Sequence, residues 1–283
     1  LLYIAVPFLT HPDWWKVIRS TLLPTIHFNK DFFEILVAIL GTTISPYLFF
    51  WQVTMEAEDV KQIRSLVLAG RPLKKESDSV QTDNKRESNL FRLLIKKMQL
   101  DVNFGMLLSN LVMFFIILAT GTALFSNGIH QIDTVEQAAS ALQPVAGKAS
   151  YFLFAIGVIG TGFLAIPVLS GSLSYIVSET FGWKGGMDAK YKSAPAFYIT
   201  IILALAIGLG LNEFGISPVK ALVYTAVLYG LTSPIIIAIV LHIGNNKKIM
   251  GKYTNGHLSN ILGIATLALM MVSAIALIYF QFI

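Results

Sequence analysis

No cysteine occurs among the 283 residues, which removes disulfides, thiolate metal sites and thiol catalysis from consideration. Charge is scarce as well. Asp, Glu, Lys and Arg make up 13% of the chain against 55% for hydrophobic residues, about half the charged share of an ordinary soluble domain. A water-soluble core cannot absorb that much apolar surface without exposing large apolar patches. The scarcity is also patterned: 35–55, 102–132, 149–178, 193–212, 221–246 and 253–283 contain no Asp, Glu, Lys or Arg. Each run has the ~20 residues that a helix needs to cross about 30 Å of hydrocarbon. The fold class is therefore an all-α polytopic membrane protein, a multi-pass integral protein of the lipid bilayer.

Other absences narrow the function. The five histidines (His11, His27, His130, His242 and His257) fall in or near loops, and no pair has metal-site spacing, which disfavours a zinc enzyme. No acid, histidine or nucleophile pair lies on the apolar runs, so the chain is not expected to be an enzyme and no cofactor is expected. The net charge of +5 does not point to nucleic acid. In a membrane protein an excess of Lys and Arg reports topology and contact with anionic lipid. The sequence opens Leu1-Leu2-Tyr3-Ile4 with neither Met nor a positively charged leader, and the expectation is a single transmembrane domain over 1–283 in an N-terminally truncated fragment.

Residues 1–10 read as the end of a hydrophobic helix. In the stretch that follows, Trp14, Trp15, Ile18, Leu22 and Leu23 share roughly one helical face beside Lys16 and Arg19, which suits a helix lying in the headgroup layer. A plain re-entrant connection fits equally well. The loop 57–100 carries ten Lys/Arg and six Asp/Glu. Its middle, 72–89, has almost no apolar residues and is expected to be disordered, whereas Leu90–Leu100 reads as a basic amphipathic helix on the membrane surface. With loops assigned alternately to the two sides, sixteen of the 21 basic residues fall on the side of 57–100 and five on the other. The positive-inside rule then makes 57–100 cytoplasmic, so the span at 31–56 runs from outside to inside.

That span holds the most informative stretch, Gly41-Thr42-Thr43-Ile44-Ser45-Pro46-Tyr47. Pro46 has no N–H and its ring clashes one turn back, which opens the ladder around Thr42. Gly41 lowers helix propensity beside it, and Thr42, Thr43, Ser45 and Tyr47 bring hydroxyls within a turn or two. Opened backbone carbonyls are tolerated in mid-membrane when protein, water or an ion satisfies them, which makes such a break a natural cation site. A kinked helix whose Ser and Thr re-satisfy the backbone reads equally well from the spacing alone. Gly157, Gly160, Gly162, Ser170, Gly171 and Ser172 suit close helix packing. Ser233-Pro234 is a second kink, read as packing rather than as a ligand. Glu56, Glu58 and Asp59 follow the break and read as a solvated helix end.

At 41–52, GTTISPYLFFWQ, the sequence resembles the Nramp family (natural resistance-associated macrophage proteins), divalent metal transporters with a LeuT-like fold. The sixth helix of that family is broken at a Met-Pro-His motif preceded by Gly-Ala-Thr-Ile. LFAIGVIGTGFLA at 153–165 and ALVYTAVLYGLTSP at 221–234 are similar to its eighth and tenth helices. The resemblance implies that 1–10 end helix 5 and that 31–283 cover helices 6 to 11, the second half of a LeuT-like inverted-repeat transporter. It also implies a bacterial inner or plasma membrane. The departures are specific: Ser45 replaces the family's methionine ligand, Tyr47 its motif histidine, Gln52 a further histidine linked to proton movement, and Ala226 a helix-10 glutamine. These changes are similar to the divergent Nramp-related branch that includes magnesium transporters.

Without sulfur or imidazole, the ligands implied here are the Ser45 and Tyr47 hydroxyls and the Thr42 carbonyl, with Gly41, Thr43, Pro46 and Gln52 shaping the break and pathway. Oxygen ligands favour hard ions such as Mg²⁺ or Mn²⁺. The expected function is transport of such an ion by alternating access, the ion being substrate and not cofactor. Helices N-terminal to these residues are expected partners, because the family's metal-binding carboxylate sits in its first helix. Two alternatives remain: a LeuT-like carrier of a small organic solute, and a non-transporting sensor that binds partners through 72–89.

Overall fold

Each long apolar run is helical, and for several helices the residue at the start shows why the helix begins there. A computed structural model describes residues 2–44, 46–69, 79–125, 128–129, 132 and 134–282, with backbone alone for 46–48, 62–69, 79–94 and 212. In chain order the main helices are α1 (Leu2–Thr10), α2 (Trp14–Leu22), α3 (Lys30–Thr43), α4 (Pro46–Ala69), α5 (Ser79–Ala123), α6 (Val135–Ser140), α7 (Gln143–Ala146), α8 (Ser150–Thr180), α9 (Pro195–Glu213), α10 (Pro218–Asn245), α11 (Lys247–Met250) and α12 (His257–Phe282). No strand occurs among the described residues. Proline opens α4, α9 and α10, a position where its missing N–H costs no helical bond. The Asn29 side chain accepts from Phe32 N at 2.9 Å to cap α3, and Ser217 caps α10 in the same way through Lys220 N, each satisfying one of the orphan donors of a first turn.

Ile95–Ala123, Gln143–Thr180, Pro218–Asn245 and His257–Phe282 are long and apolar enough to cross a bilayer. The run at 193–212 contributes a shorter apolar helix, Pro195–Leu211, and the run at 35–55 is divided between α3 and α4. Large apolar side chains face outward along these helices, for example Phe163 at 78% and Leu209 at 79% exposure. Water would penalise such surfaces heavily; lipid does not. The chain is a multi-pass integral membrane protein. Residues 70–78 of the charged loop lie outside the described residues, as does part of the tract 72–89; from Ser79 the backbone is helical and continues into the apolar part of α5.

The chain divides into two compact units. In the first (1–12, 56–130 and 139–153), α1 packs on α5. Val6 and Ala119 are fully buried, the Phe8 and Phe115 rings stand 6.0 Å apart, and Thr10 Oγ1 donates to Thr122 Oγ1 at 3.1 Å. In the second (13–55, 131–138 and 154–283), α3, α10 and α12 pack together. Phe33, Val37 and Leu277 form their shared core, with Phe33 stacked on Phe280 at 5.3 Å. A separate aromatic cluster joins α8 to α9: the Tyr175 and Phe197 rings meet edge to face at 5.0 Å, and the Tyr175 hydroxyl accepts from Met187 N at 2.9 Å. Within this second unit α2 buries none of its residues. Trp15 and Leu22 are each 74% exposed, an apolar face of the kind that lies in a headgroup layer.

The tightest approach in the second unit is between α3 and α10. A Cβ at Gly41 would collide with the backbone of Gly230 and Ala226, reaching 2.7 Å from Gly230 Cα, and a Cβ at Gly230 would collide with Val37. Backbone cannot yield as a flexible side chain can, so only glycine fits at either position. The glycines expected to mediate packing on α8 behave differently. A Cβ at Gly157 or Gly160 would meet nothing within 4 Å among the described residues, whereas one at Gly171 would come within 2.6 Å of the Trp51 ring. Small residues permit close packing only where a neighbour is present, and of the three positions that is Gly171. Gly41→Ala and Gly230→Ala should each destabilise the full-length protein by about 1–3 kcal/mol, seen as a lowered melting temperature in detergent, while Gly157→Ala leaves it unchanged. Equal melting temperatures for all three would contradict this contact.

Candidate functional site

The interruption in the span at 31–56 is a true gap between helices. α3 ends at Thr43, its C-cap Ile44 leaves helical geometry at φ −110°, ψ 60°, and α4 starts at Pro46. Ile44 N still donates to Leu40 O at 3.0 Å, so the last turn of α3 closes normally. Past it the ladder cannot continue through residue 46, because proline has no N–H to give the Thr42 carbonyl. The two threonine hydroxyls turn back onto their own helix: Thr42 Oγ1 donates to Ile39 O at 2.9 Å and Thr43 Oγ1 to the same oxygen at 2.8 Å. Such back-bonding satisfies a hydroxyl in an apolar setting and loosens the helix that accepts it.

The remaining predicted residues divide by what the structure describes. Gly41 is buried at the crossing with α10, Thr42 is exposed and Thr43 half-buried. Gln52 is half-buried on α4 beside Trp51, whose ring lies over Gly171 and meets Tyr175 edge to face at 5.9 Å. Ser45 lies outside the described residues, and so do the side chains of Pro46 and Tyr47. Ala226, the position of the helix-10 glutamine in the resemblance, is buried on α10 with its carbonyl against Gly41. No group of three or more His, Cys, Asp or Glu is placed to hold a metal among the described residues. A cavity of about 450 Å³ opens near the other end of α3, between Lys30 and Glu34 on one side and Tyr224 and Gln281 on the other; none of the predicted residues lines it.

One residue gains a role that its sequence context did not assign. Ser233, 1% exposed on α10, places its hydroxyl 3.0 Å from the Ile44 carbonyl, at the first non-helical residue of the break. The same oxygen is 2.6 Å from Tyr229 O on its own helix. Many hydroxyls on the spans bond back to their own helices, as Thr161 does to Gly157 O and Thr266 to Leu262 O. Ser233 also reaches across to a second one. The following residue, Pro234, has no N–H to offer the Gly230 carbonyl, so the ladder of α10 is also opened within one turn of this contact. The sequence signal was the Ser-Pro pair in mid-span; what it could not supply was the opposing backbone.

A broken helix clasped by a neighbouring helix through glycine and a serine hydroxyl, within an all-α polytopic membrane protein, is consistent with a fold of the LeuT-like kind. The chain belongs to the Nramp family. The family profile described as “Natural resistance-associated macrophage protein-like” matches residues 1–280. Among relatives, the chain is 26% identical over 280 residues to a “Divalent metal cation transporter MntH” of Caldanaerobacter subterraneus subsp. tengcongensis, covering 99% of this chain and 58% of that protein. A protein of the same description from Clostridium acetobutylicum is 25% identical over 281 residues, 99% of this chain and 57% of its own length. One from Vibrio campbellii is 22% identical over 274 residues, covering 96% and 55%. The chain thus spans little more than half the length of these relatives.

Pro46→Ala should test the origin of the break. With an N–H restored at residue 46, amide hydrogen exchange across 43–48 is expected to slow by about fivefold or more, as the ladder closes (~1 kcal/mol or more per bond). Unchanged exchange would assign the break to packing and not to proline.

Proposed function

We propose that the protein carries a hard divalent cation, Mg²⁺ or Mn²⁺, across the membrane by alternating access, and that the break between α3 and α4 forms part of the ion's seat. The observation that carries this reading is the interruption itself. At Ile44, between the end of α3 at Thr43 and the start of α4 at Pro46, the backbone leaves the helix inside an otherwise apolar span, a geometry that presents a carbonyl oxygen where hydrocarbon offers no partner. The description of the relatives as divalent metal cation transporters supports the same class of substrate.

The ligands proposed from these residues are the Ser45 and Tyr47 hydroxyls and the Thr42 carbonyl. All are neutral oxygens, which favours hard ions over soft ones. Neutral oxygens alone compete poorly with water for a divalent ion. We therefore place a metal-binding carboxylate in helices outside these 283 residues and treat 1–283 as one part of a single transmembrane domain that works with them. Mg²⁺ gives up its water reluctantly and is held with several waters attached, so a seat with few protein ligands suits it. With Gln52 and Tyr47 where the family has histidines, this half of the site contributes no group that titrates near neutral pH, and any proton movement would run elsewhere. The loop 57–100 is proposed to lie on the cytoplasmic side, from the distribution of basic residues.

Uptake of Mg²⁺ and Mn²⁺ into proteoliposomes containing the full-length protein tests this directly. Ser45→Ala and Tyr47→Ala are each expected to raise the half-saturating ion concentration about tenfold, the scale on which ligand-shell changes act. Unchanged uptake in both variants would remove the ion's seat from this loop.

A further inference from the structure

We propose that Ser233 of α10 is a cation-binding residue of the same seat, acting as a proton-shifting cap on the Ile44 carbonyl. The inference rests on the transport reading above and adds to it a ligand that neither the sequence motif nor the family alignment assigns.

The argument begins with a count of protons. A serine hydroxyl has one proton and two lone pairs, yet Ser233 Oγ lies within hydrogen-bond distance of two carbonyl oxygens, Tyr229 O at 2.6 Å and Ile44 O at 3.0 Å. It can donate fully to only one of them at a time. With the proton toward Ile44, the carbonyl at the break is capped and the gap is satisfied without an ion. With the proton toward Tyr229, at the shorter distance, Ser233 Oγ and Ile44 O face one another as two acceptors 3.0 Å apart. Two acceptors in contact, one of them on a buried side chain, repel unless something positive lies between them. A cation supplies that charge, and by polarising the hydroxyl it strengthens the bond to Tyr229 O.

The spacing bears on ion size. Oxygens on adjacent corners of an octahedron stand about 3.0 Å apart when the ion binds them at ~2.1 Å, as Mg²⁺ does, and roughly 3.3–3.7 Å apart at the longer Ca²⁺ distances. The 3.0 Å between Ser233 Oγ and Ile44 O is a hydrogen-bond distance, and the pair would have to widen to take Ca²⁺ but not Mg²⁺. The pair is held there by the glycine crossing one turn away, where Gly41 and Gly230 bring the two backbones together. Ser233, 1% exposed, has little room to swing elsewhere.

The decisive variant is Ser233→Cys, which keeps the shape and exchanges a hard oxygen for a soft sulfur. These residues contain no other cysteine. In proteoliposomes of the full-length protein, Ser233→Cys should raise the KM for Mg²⁺ about tenfold while Cd²⁺ becomes a competitor at least about tenfold stronger than against wild type, the scale of ligand-shell effects. Ser233→Ala should raise the KM for Mg²⁺ similarly, with kcat within about twofold and no gain in Cd²⁺ sensitivity. A purely structural serine would not transfer metal preference to sulfur. Should Ser233→Ala fail to fold, the cysteine variant alone decides. If wild type transports Mg²⁺ or Mn²⁺ and Ser233→Cys keeps the wild-type KM and Cd²⁺ sensitivity, the role of Ser233 is overturned and the transport reading stands. Wild type that moves neither ion would overturn both.

Discussion

A backbone oxygen inside a membrane has no water to fall back on, and that requirement organises the second unit of this protein. Where α3 stops at Thr43, the carbonyl of half-buried Ile44 has left the helical ladder, and an acceptor removed from water without a donor costs about 1–3 kcal/mol. The donor comes from Ser233, almost two hundred residues further along the chain. A serine side chain is short, so this bond forms only where the two backbones nearly touch. Gly41 and Gly230 allow that approach. Glycine crossing, serine cap and helix break are therefore one device: remove the glycines and the serine no longer reaches, remove the serine and the break is left unsatisfied.

On the proposed reading, the same device would suit the break to a transported ion. Carbonyls and hydroxyls offer partial charges that hold an ion only while other ligands help, and α10 can take back its share of the bonding when the ion leaves. The proton on Ser233 has two carbonyls within reach at 2.6 and 3.0 Å, so the protein satisfies the break from within when the seat is empty. That is a physical route by which occupancy of the seat can alter the fit between α3 and α10, the kind of differential contact that alternating access requires.

Much of the architecture was legible in the distribution of charge. Six runs without Asp, Glu, Lys or Arg became α3 with α4, α5, α8, α9, α10 and α12, because a spanning helix tolerates almost no charge, although α4 and α5 extend well beyond their runs into charged sequence. Pro46 was legible for a similar reason: a missing N–H is a local property of one residue. Gly41 was read as a weak helix former, which is true but secondary to its contact with Gly230. Ser233 was read as packing because its partner, the Ile44 carbonyl, is brought to it only by the tertiary fold. The glycines of α8 show the converse. Gly157 and Gly171 look alike in the sequence, yet only Gly171 of the two has a ring packed over it.

The central claim is that the interruption between α3 and α4 holds the ion. Its most direct measurement is an anomalous difference map from crystals of the full-length protein soaked with Mn²⁺. The account predicts a peak within coordination distance, about 2.0–2.6 Å, of oxygens at the break, with Ser233 Oγ or the Ile44 carbonyl among them. A fully occupied peak elsewhere in the protein, with the break empty and Ser233 still bonded to Ile44, would contradict it.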